Sequence, residues 1–414
     1  MIVPLVLGAV VLFLTYQWLK SQRPRNFPPG PPAIPLLGNL LSLGSKPAVK
    51  LMEWRQKYGD IFGMYNGRQP MVVISDFHTL RKIFGEDSAS GRRTHSVIRR
   101  DDSSLPMGIG LLGSQGDPWK THRRFALSTL RDLGMSKNWL EDTIIAEIED
   151  FCQTLRDTKL RPFDPKVQLT NSVANVICAL SFGKRFEMTD SKFSNGRAAR
   201  KQAPRKDLTI CNWSDRSLTS SLRARISTTV LWAMVFMIEN PDVMERVQAE
   251  IDDKVGRQNV LTNSDRSRLP YTEAVILESQ RCGNLVPLGV PHYSMEEIQL
   301  DGYTIPKDTL LISNLFAIHR DARYWKNPEK FDPNRFLNSE QKLIRPDGFV
   351  PFSIGKRTCL GEALAKMELF LFIANLLRCF TLELPKGKTL SHDDYYSSLV
   401  DSPDSFALVF VPRF

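Results

Sequence analysis

The residues best placed to do chemistry lie between Phe352 and Gly361, in the run Phe-Ser-Ile-Gly-Lys-Arg-Thr-Cys-Leu-Gly. Cys359 immediately precedes a helix predicted over 360–379. Its sulfur would therefore stand near unpaired backbone N–H groups and the positive end of the helix dipole, both of which favour a thiolate. A thiolate is a nucleophile and a soft metal ligand. Gly355 and Gly361 permit tight turns and the close approach of a flat ligand. The competing reading is a buried structural cysteine that behaves as a small hydrophobe.

Other spacings matter for their charge. Glu278 and Arg281 stand at i,i+3 and meet on one helix face, where Arg335 can share the carboxylate. Such a cluster is either a surface ion pair or a buried lock, since buried charges persist only when paired and hydrogen-bonded. Trp119 and Arg123 stand at i,i+4. A guanidinium and an indole N–H on one face suit a carboxylate, although an ordinary amphipathic helix with an exposed arginine has the same pattern. His292, in Gly-Val-Pro-His, is a donor to an anion or a satisfied core histidine. The six cysteines form no Cys-x-x-Cys pair and have no partnering histidine pair, so they read as free thiols, with neither a disulfide frame nor a zinc site.

The elements that must position these residues are mostly helical. Helices are predicted at Pro47 to Tyr58 and over 117–134, 138–158, 166–183, 227–238, 240–255, 270–282 and 360–379. Strands are predicted at Ile61 to Asn66 and Pro70 to Ser75 around a Gly-Arg-Gln turn, with short pieces over 299–305, 309–313, 380–384 and 406–411. The fold class is mainly α in one domain, with small β-sheets at its margins. An apolar fraction of 42% and a charged fraction of 24% argue against disorder for the bulk of the 414 residues. The net charge of +10 suggests an acidic partner or an anionic surface, and no nucleic-acid motif accompanies it.

Ile2 to Leu19 is a run of 18 uncharged residues, followed at once by Lys20, Arg23 and Arg25. This predicts a transmembrane signal anchor over 1–20, with everything beyond it on the cytosolic side. A proline-rich hinge over 21–44, containing Pro28, Pro29, Pro31, Pro32 and Pro35, reads as a stiff spacer. The domain then spans 45–414.

Together these motifs resemble the cytochrome P450 family, specifically its microsomal, animal drug- and fatty-acid-oxidising type. Phe352, Gly355, Arg357, Cys359 and Gly361 meet its Phe-x-x-Gly-x-Arg-x-Cys-x-Gly signature. Glu278 to Arg281, Phe331 to Phe336 and Trp119 to Arg123 match its Glu-x-x-Arg, meander and Trp-x-x-x-Arg motifs in the same order. The resemblance implies haem b with Cys359 as the axial thiolate on iron. Trp119, Arg123, His292 and Arg357 would bind its propionates, and Glu278, Arg281 and Arg335 would lock the meander. It further implies an endoplasmic reticulum membrane protein oxidising a lipophilic small molecule. Electrons would come from NADPH–cytochrome P450 reductase, with cytochrome b5 as a second partner, on a face holding Lys120, Arg124, Arg131 and Lys356. Ile109, Leu111, Leu112, Val286 and Leu288 would line the substrate pocket.

The likeness breaks over 187–226, where the family has roof helices and an acid–threonine pair. Counting back from Trp232, those two positions hold Ala224 and Arg225. Lys192 to Arg225 carries nine basic and two acidic residues, and 197–206 reads as a solvated basic loop. The fold is thus expected to be an incomplete P450 fold. The chain is either a shortened product of altered splicing or gene reading, or a diverged protein. Its function is expected to be monooxygenation, the alternative being a haem-binding member impaired in catalysis or lacking it.

Overall fold

The computed structural model describes residues 23–92, 110–132, 138–183, 185, 216–390, 402–403 and 405–414, together with residue 8. Among these, no helix is long and apolar enough to cross a membrane. The predicted anchor over 1–20 lies outside the described residues apart from Gly8, as do the basic run 197–206 and Ile109.

The main helices are α1 (Pro47–Tyr58), α2 (Phe77–Phe84), α3 (Gly116–Asp132), α4 (Asn138–Asp157), α5 (Lys166–Phe182), α6 (Arg216–Glu239), α7 (Pro241–Lys254), α8 (Pro270–Gly283) and α9 (Glu362–Cys379). Helices α4 to α9 pack on one another. Helix α9 is buried on every side from Glu368 to Cys379, as expected of a helix apolar all round. Its Phe370 and Phe372 join Phe151 of α4 and Val230 of α6 in one continuous core. Removing any of these rings to alanine would cost about 3–5 kcal/mol.

The strands are marginal, as predicted. β1 (Ile61–Asn66) and β2 (Gln69–Ile74) form an antiparallel hairpin. β2 also pairs in parallel with β6 (Leu310–Ser313), which pairs antiparallel with β3 (His292–Tyr293). The piece predicted over 299–305 is a two-strand hairpin, β4 (Ile298–Leu300) and β5 (Tyr303–Ile305), because Asp301 and Gly302 adopt positive φ between them. β7 (Phe380–Glu383) pairs with β8 (Val409–Pro412) and holds the chain's end against α9.

Two expectations are corrected. Helix α6 starts at Arg216 and not near 227, so the last part of the atypical segment continues the helix that carries Trp232. Helix α2 was not anticipated. Asp76 caps it by accepting from the Thr79 N–H at 2.8 Å, and Phe77, Leu80, Ile83 and Phe84 form its buried face. The proline segment, read as a stiff spacer, packs onto β1 from residue 27. Gly63 N–H donates to the Pro29 carbonyl at 2.7 Å, and Phe27 is buried against β1. Gly63 must lack a Cβ, which would sit 2.4 Å from the Phe27 ring.

Candidate functional site

The loop before α9 is seated on α2. Lys356 N–H donates to the Phe84 carbonyl at 2.9 Å, and a Cβ on Gly355 would lie 2.0 Å from that oxygen, at a φ of +82°. Only glycine fits there. Cys359 N–H closes the loop on the Phe352 carbonyl at 3.1 Å. Burial pushes the Cys359 thiol above its usual range, against the opposing pull of the Gly361 N–H, Arg225 and Arg123. The helix end does favour the thiolate, as expected, through the Gly361 N–H. Desolvation outweighs these partial charges.

Behind the loop, the predicted lock is formed. Arg281 of α8 donates from Nε and Nη2 to the two oxygens of Glu278, at 2.7 and 2.8 Å, and both side chains are fully buried. Arg335 adds a contact to Glu278 at 3.2 Å and donates to the Asn327 carbonyl at 2.8 Å. Arg281 Nη1 also donates to the His319 carbonyl at 2.8 Å. His319 was not anticipated. Its Nδ1–H donates to Asn284 Oδ1 at 3.1 Å and its Nε2 accepts the Val350 N–H at 3.1 Å. Through it the lock is hydrogen-bonded to the strand of chain that leads into the cysteine loop.

Beside Cys359 lies a different cluster. Arg123 of α3 donates to the Thr358 carbonyl at 2.9 Å, and Arg357 stacks on the Trp119 ring at 3.8 Å. Arg357 is held by the carbonyls of Ser90 and Ser114, at 3.0 and 2.7 Å. Arg92 donates to the carbonyls of Val290, at 2.8 Å, and Pro291. Burial lowers both Arg357 and Arg92 to about 9, with repulsion from Arg123 adding to the first and from Arg357 to the second. Among the described residues, none of these arginines is paired with a carboxylate. His292 stacks on Phe84 at 3.9 Å and donates Nδ1–H to the Ala89 carbonyl at 2.8 Å. Burial and then Arg92 hold it well below the usual histidine range. The neutral ring therefore offers Nε2 only as an acceptor, and it can donate to an anion only once protonated.

The predicted site residues Trp119, Arg123, His292, Arg357 and Cys359 are thus neighbours, and the sequence reading missed Arg92. Nothing in Gly91-Arg92-Arg93 distinguishes it. What brings it in is the pairing of Gly91 with Tyr293 beside β3. Arg225 of α6 lies largely buried in the electrostatic field of Cys359, and its Nε has no hydrogen-bond partner among the described residues.

A profile of the family described as cytochrome P450 matches residues 28–202 and 226–409. The chain belongs to the cytochrome P450 family. Cytochrome P450 2J3 of Rattus norvegicus is 32% identical, over 99% of this chain and 96% of the relative. Cytochrome P450 2D6 of Homo sapiens is 33% identical, over 100% and 99%, and cytochrome P450 18a1 of Drosophila melanogaster 30%, over 97% and 90%. The alignment to 2J3 runs 489 positions against the 414 residues here, and the family profile is interrupted between 202 and 226. That interruption falls in the segment where the sequence departs from its family.

As a P450 the chain is an oxidoreductase, a haem-thiolate monooxygenase with haem b held by an axial cysteine thiolate. The described residues fit that group. Haem brings two propionates, and the arginines beside Cys359 are partly or wholly buried cations with no carboxylate partner among the described residues. It brings a flat ring, and a Cβ built on Gly361 would meet nothing within 4 Å, so the helix start beside the sulfur is open. It brings iron, for which a cysteine sulfur at a helix start is a suitable ligand.

Proposed function

We propose that Cys359 is the iron ligand and that Trp119, Arg123, Arg357, Arg92 and His292 hold the propionates of an active microsomal monooxygenase. The observation that carries this reading is the buried arginine cluster, unmatched by any described carboxylate, against the loop of Cys359. When bound, the haem supplies oxygen activation, and a thiolate ligand assists it by donating electron density. Arg357 and Arg123 fix the ring's attitude through carbonyl-anchored guanidinium groups, which lose little freedom on meeting a carboxylate. His292, charged by a nearby propionate, would turn Nε2 from acceptor to donor.

The substrate in this reading is a lipophilic small molecule, met by Leu111, Leu112, Val286 and Leu288. Electrons arrive from NADPH–cytochrome P450 reductase, with cytochrome b5 as a second donor. Lys120 and Lys356 both contact Asp87, at 3.1 and 2.7 Å, so they form one exposed basic spot on the side of the cysteine loop. That spot suits an acidic partner. The chain is proposed to sit on the endoplasmic reticulum membrane through an anchor over 1–20 and the exposed apolar residues Ile34, Leu36, Leu37, Leu40 and Leu41. Residues 21–44 join the anchor to a catalytic domain over 45–414. The alternative of an impaired member draws no support from the relatives.

The test is turnover of the full chain in vesicles with reductase, NADPH and isotopically labelled dioxygen over a lipophilic panel. One labelled oxygen atom in a product is expected. Fully haem-loaded protein that consumes NADPH and oxygenates nothing in the panel would overturn the reading.

A further inference from the structure

Away from the haem side, a cavity of about 350 Å3 lies where α4 packs on the C-terminal end of α9. At its floor are two cysteines from distant parts of the chain, Cys152 and Cys379, each only 3% exposed. Neither is used by the site described above. They line the cavity side by side and interact directly, which pushes the Cys152 thiol up and the Cys379 thiol down. Both stand free of any disulfide.

The surroundings are cationic. Arg156, one turn along α4 from Cys152, donates from Nη2 to Cys379 Sγ at 3.8 Å. Arg378 lines the same cavity, and its buried Nε lacks a partner among the described residues. Arg413 donates to the Arg378 carbonyl at 3.1 Å beside it. The interaction with Cys152 lowers the Cys379 thiol below the usual cysteine range, and Arg378, Arg156 and Arg413 add to that against the cost of burial. Asp252 pairs with Arg413 at 2.8 Å, whereas Arg156 and Arg378 have no carboxylate partner among the described residues. Glu149 and Asp150 stand exposed at the rim, and Asp150 is engaged by Arg185 at 2.6 Å. Cys282, by contrast, is pushed well up by burial. Two cysteines lining one cavity, the one beside Arg156 favouring its thiolate and the other its thiol, have the arrangement of an attacking and a resolving cysteine.

We propose that Cys152 and Cys379 form a peroxide-sensitive dithiol that closes reversibly to a disulfide joining α4 to α9. The oxidant is hydrogen peroxide. The Cys379 thiolate attacks one peroxide oxygen, the O–O bond breaks, and the departing hydroxide takes a proton to leave as water. The resulting sulfenic acid is attacked by Cys152, whose proton goes with the displaced hydroxyl as a second water. In sum, two thiols and one hydrogen peroxide become one disulfide and two waters, with sulfur oxidised and oxygen reduced. A thiol reductant reverses it. Since α9 begins next to Cys359, the bond would tie the far end of the helix that carries the cysteine loop.

The experiment treats the haem-loaded full chain with hydrogen peroxide, blocks free thiols by alkylation and maps peptides without reduction. A Cys152–Cys379 linked peptide that dithiothreitol removes is expected. Before oxidation at pH 7, Cys379 should alkylate about tenfold faster than Cys178 or Cys282. In the conservative Cys152→Ser variant the link should vanish, and Cys379 should be trapped as a sulfenic acid by dimedone. The proposal is overturned if both cysteines remain alkylatable after peroxide. It is equally overturned if Cys379 links to another cysteine, or reacts no faster than Cys178 and Cys282.

Discussion

Two buried clusters of arginine flank the cysteine loop, and they are built on opposite principles. In the lock behind it, Arg281 and Arg335 share Glu278, which also accepts the Asp332 N–H at 2.9 Å. There the hydrogen bond and charge of Glu278 help hold Arg281 above the usual arginine range despite burial. Beside the loop, Arg92, Arg123 and Arg357 donate only to neutral carbonyls among the described residues, and burial lowers all three. A closed cluster serves the fold, whereas a cluster of one sign is costly until an anion arrives. The contrast separates what holds this P450 together from what awaits its haem.

Four changes would break or sharpen that contrast. The largest effect is expected from Glu278→Ala, which strands Arg281 as an unpaired buried charge. Denaturant unfolding should show a loss of about 3–5 kcal/mol, with or without haem. Arg357→Met should act in the opposite way. Haem-free protein should hold its stability within about 1 kcal/mol, while haem transfers to a scavenging apoprotein at least about tenfold faster. If the haem-free variant is damaged as severely as Glu278→Ala, the two clusters are not different in kind.

Glu368 of α9 offers a third case, a carboxyl whose two oxygens find no partner among the described residues. Burial pushes it up from 4.5 to about 8, so it remains neutral at pH 7. Its unfolded form loses the proton first, so its contribution to stability falls as pH rises from the unfolded value through the folded one. Comparing unfolding at pH 5 and 8, Glu368→Gln should remove a decline of roughly 1–3 kcal/mol that the parent shows. A parent with no excess decline would mean that this acid is solvated after all. The smallest effect is expected from reversing the exposed pair Lys120 and Lys356 to glutamate. Stability should move by under about 0.5 kcal/mol, while reduction by the reductase slows at low salt and recovers at high salt. A loss independent of salt would remove the docking reading of that face.

Much of this was legible in the sequence because short-range rules applied. Helix α1, the β1–β2 hairpin and the i,i+3 pairing of Glu278 with Arg281 follow from spacing alone, and the family signature identified Cys359. What could not be read depends on contacts between distant segments. Helix α2 spans only Phe77–Phe84, and its signal is a single cap and four apolar residues. The start of α6 was hidden because Arg216 to Arg225 is polar and basic, and continuity with the apolar turns beyond Ile226 outweighs composition there. Arg92 enters the site through strand pairing, and the tautomer of His292 is set by the Ala89 carbonyl. The thiol pair of Cys152 and Cys379 links positions more than 200 residues apart.

Iron X-ray absorption of the purified, haem-loaded chain, set beside its Cys359→Ser variant, tests the central claim most directly. A sulfur atom bonded to iron in the parent, and lost in a variant that still folds, is the predicted result. The same sulfur signal in the variant, or no iron–sulfur bond in well-folded parent protein, would contradict the account.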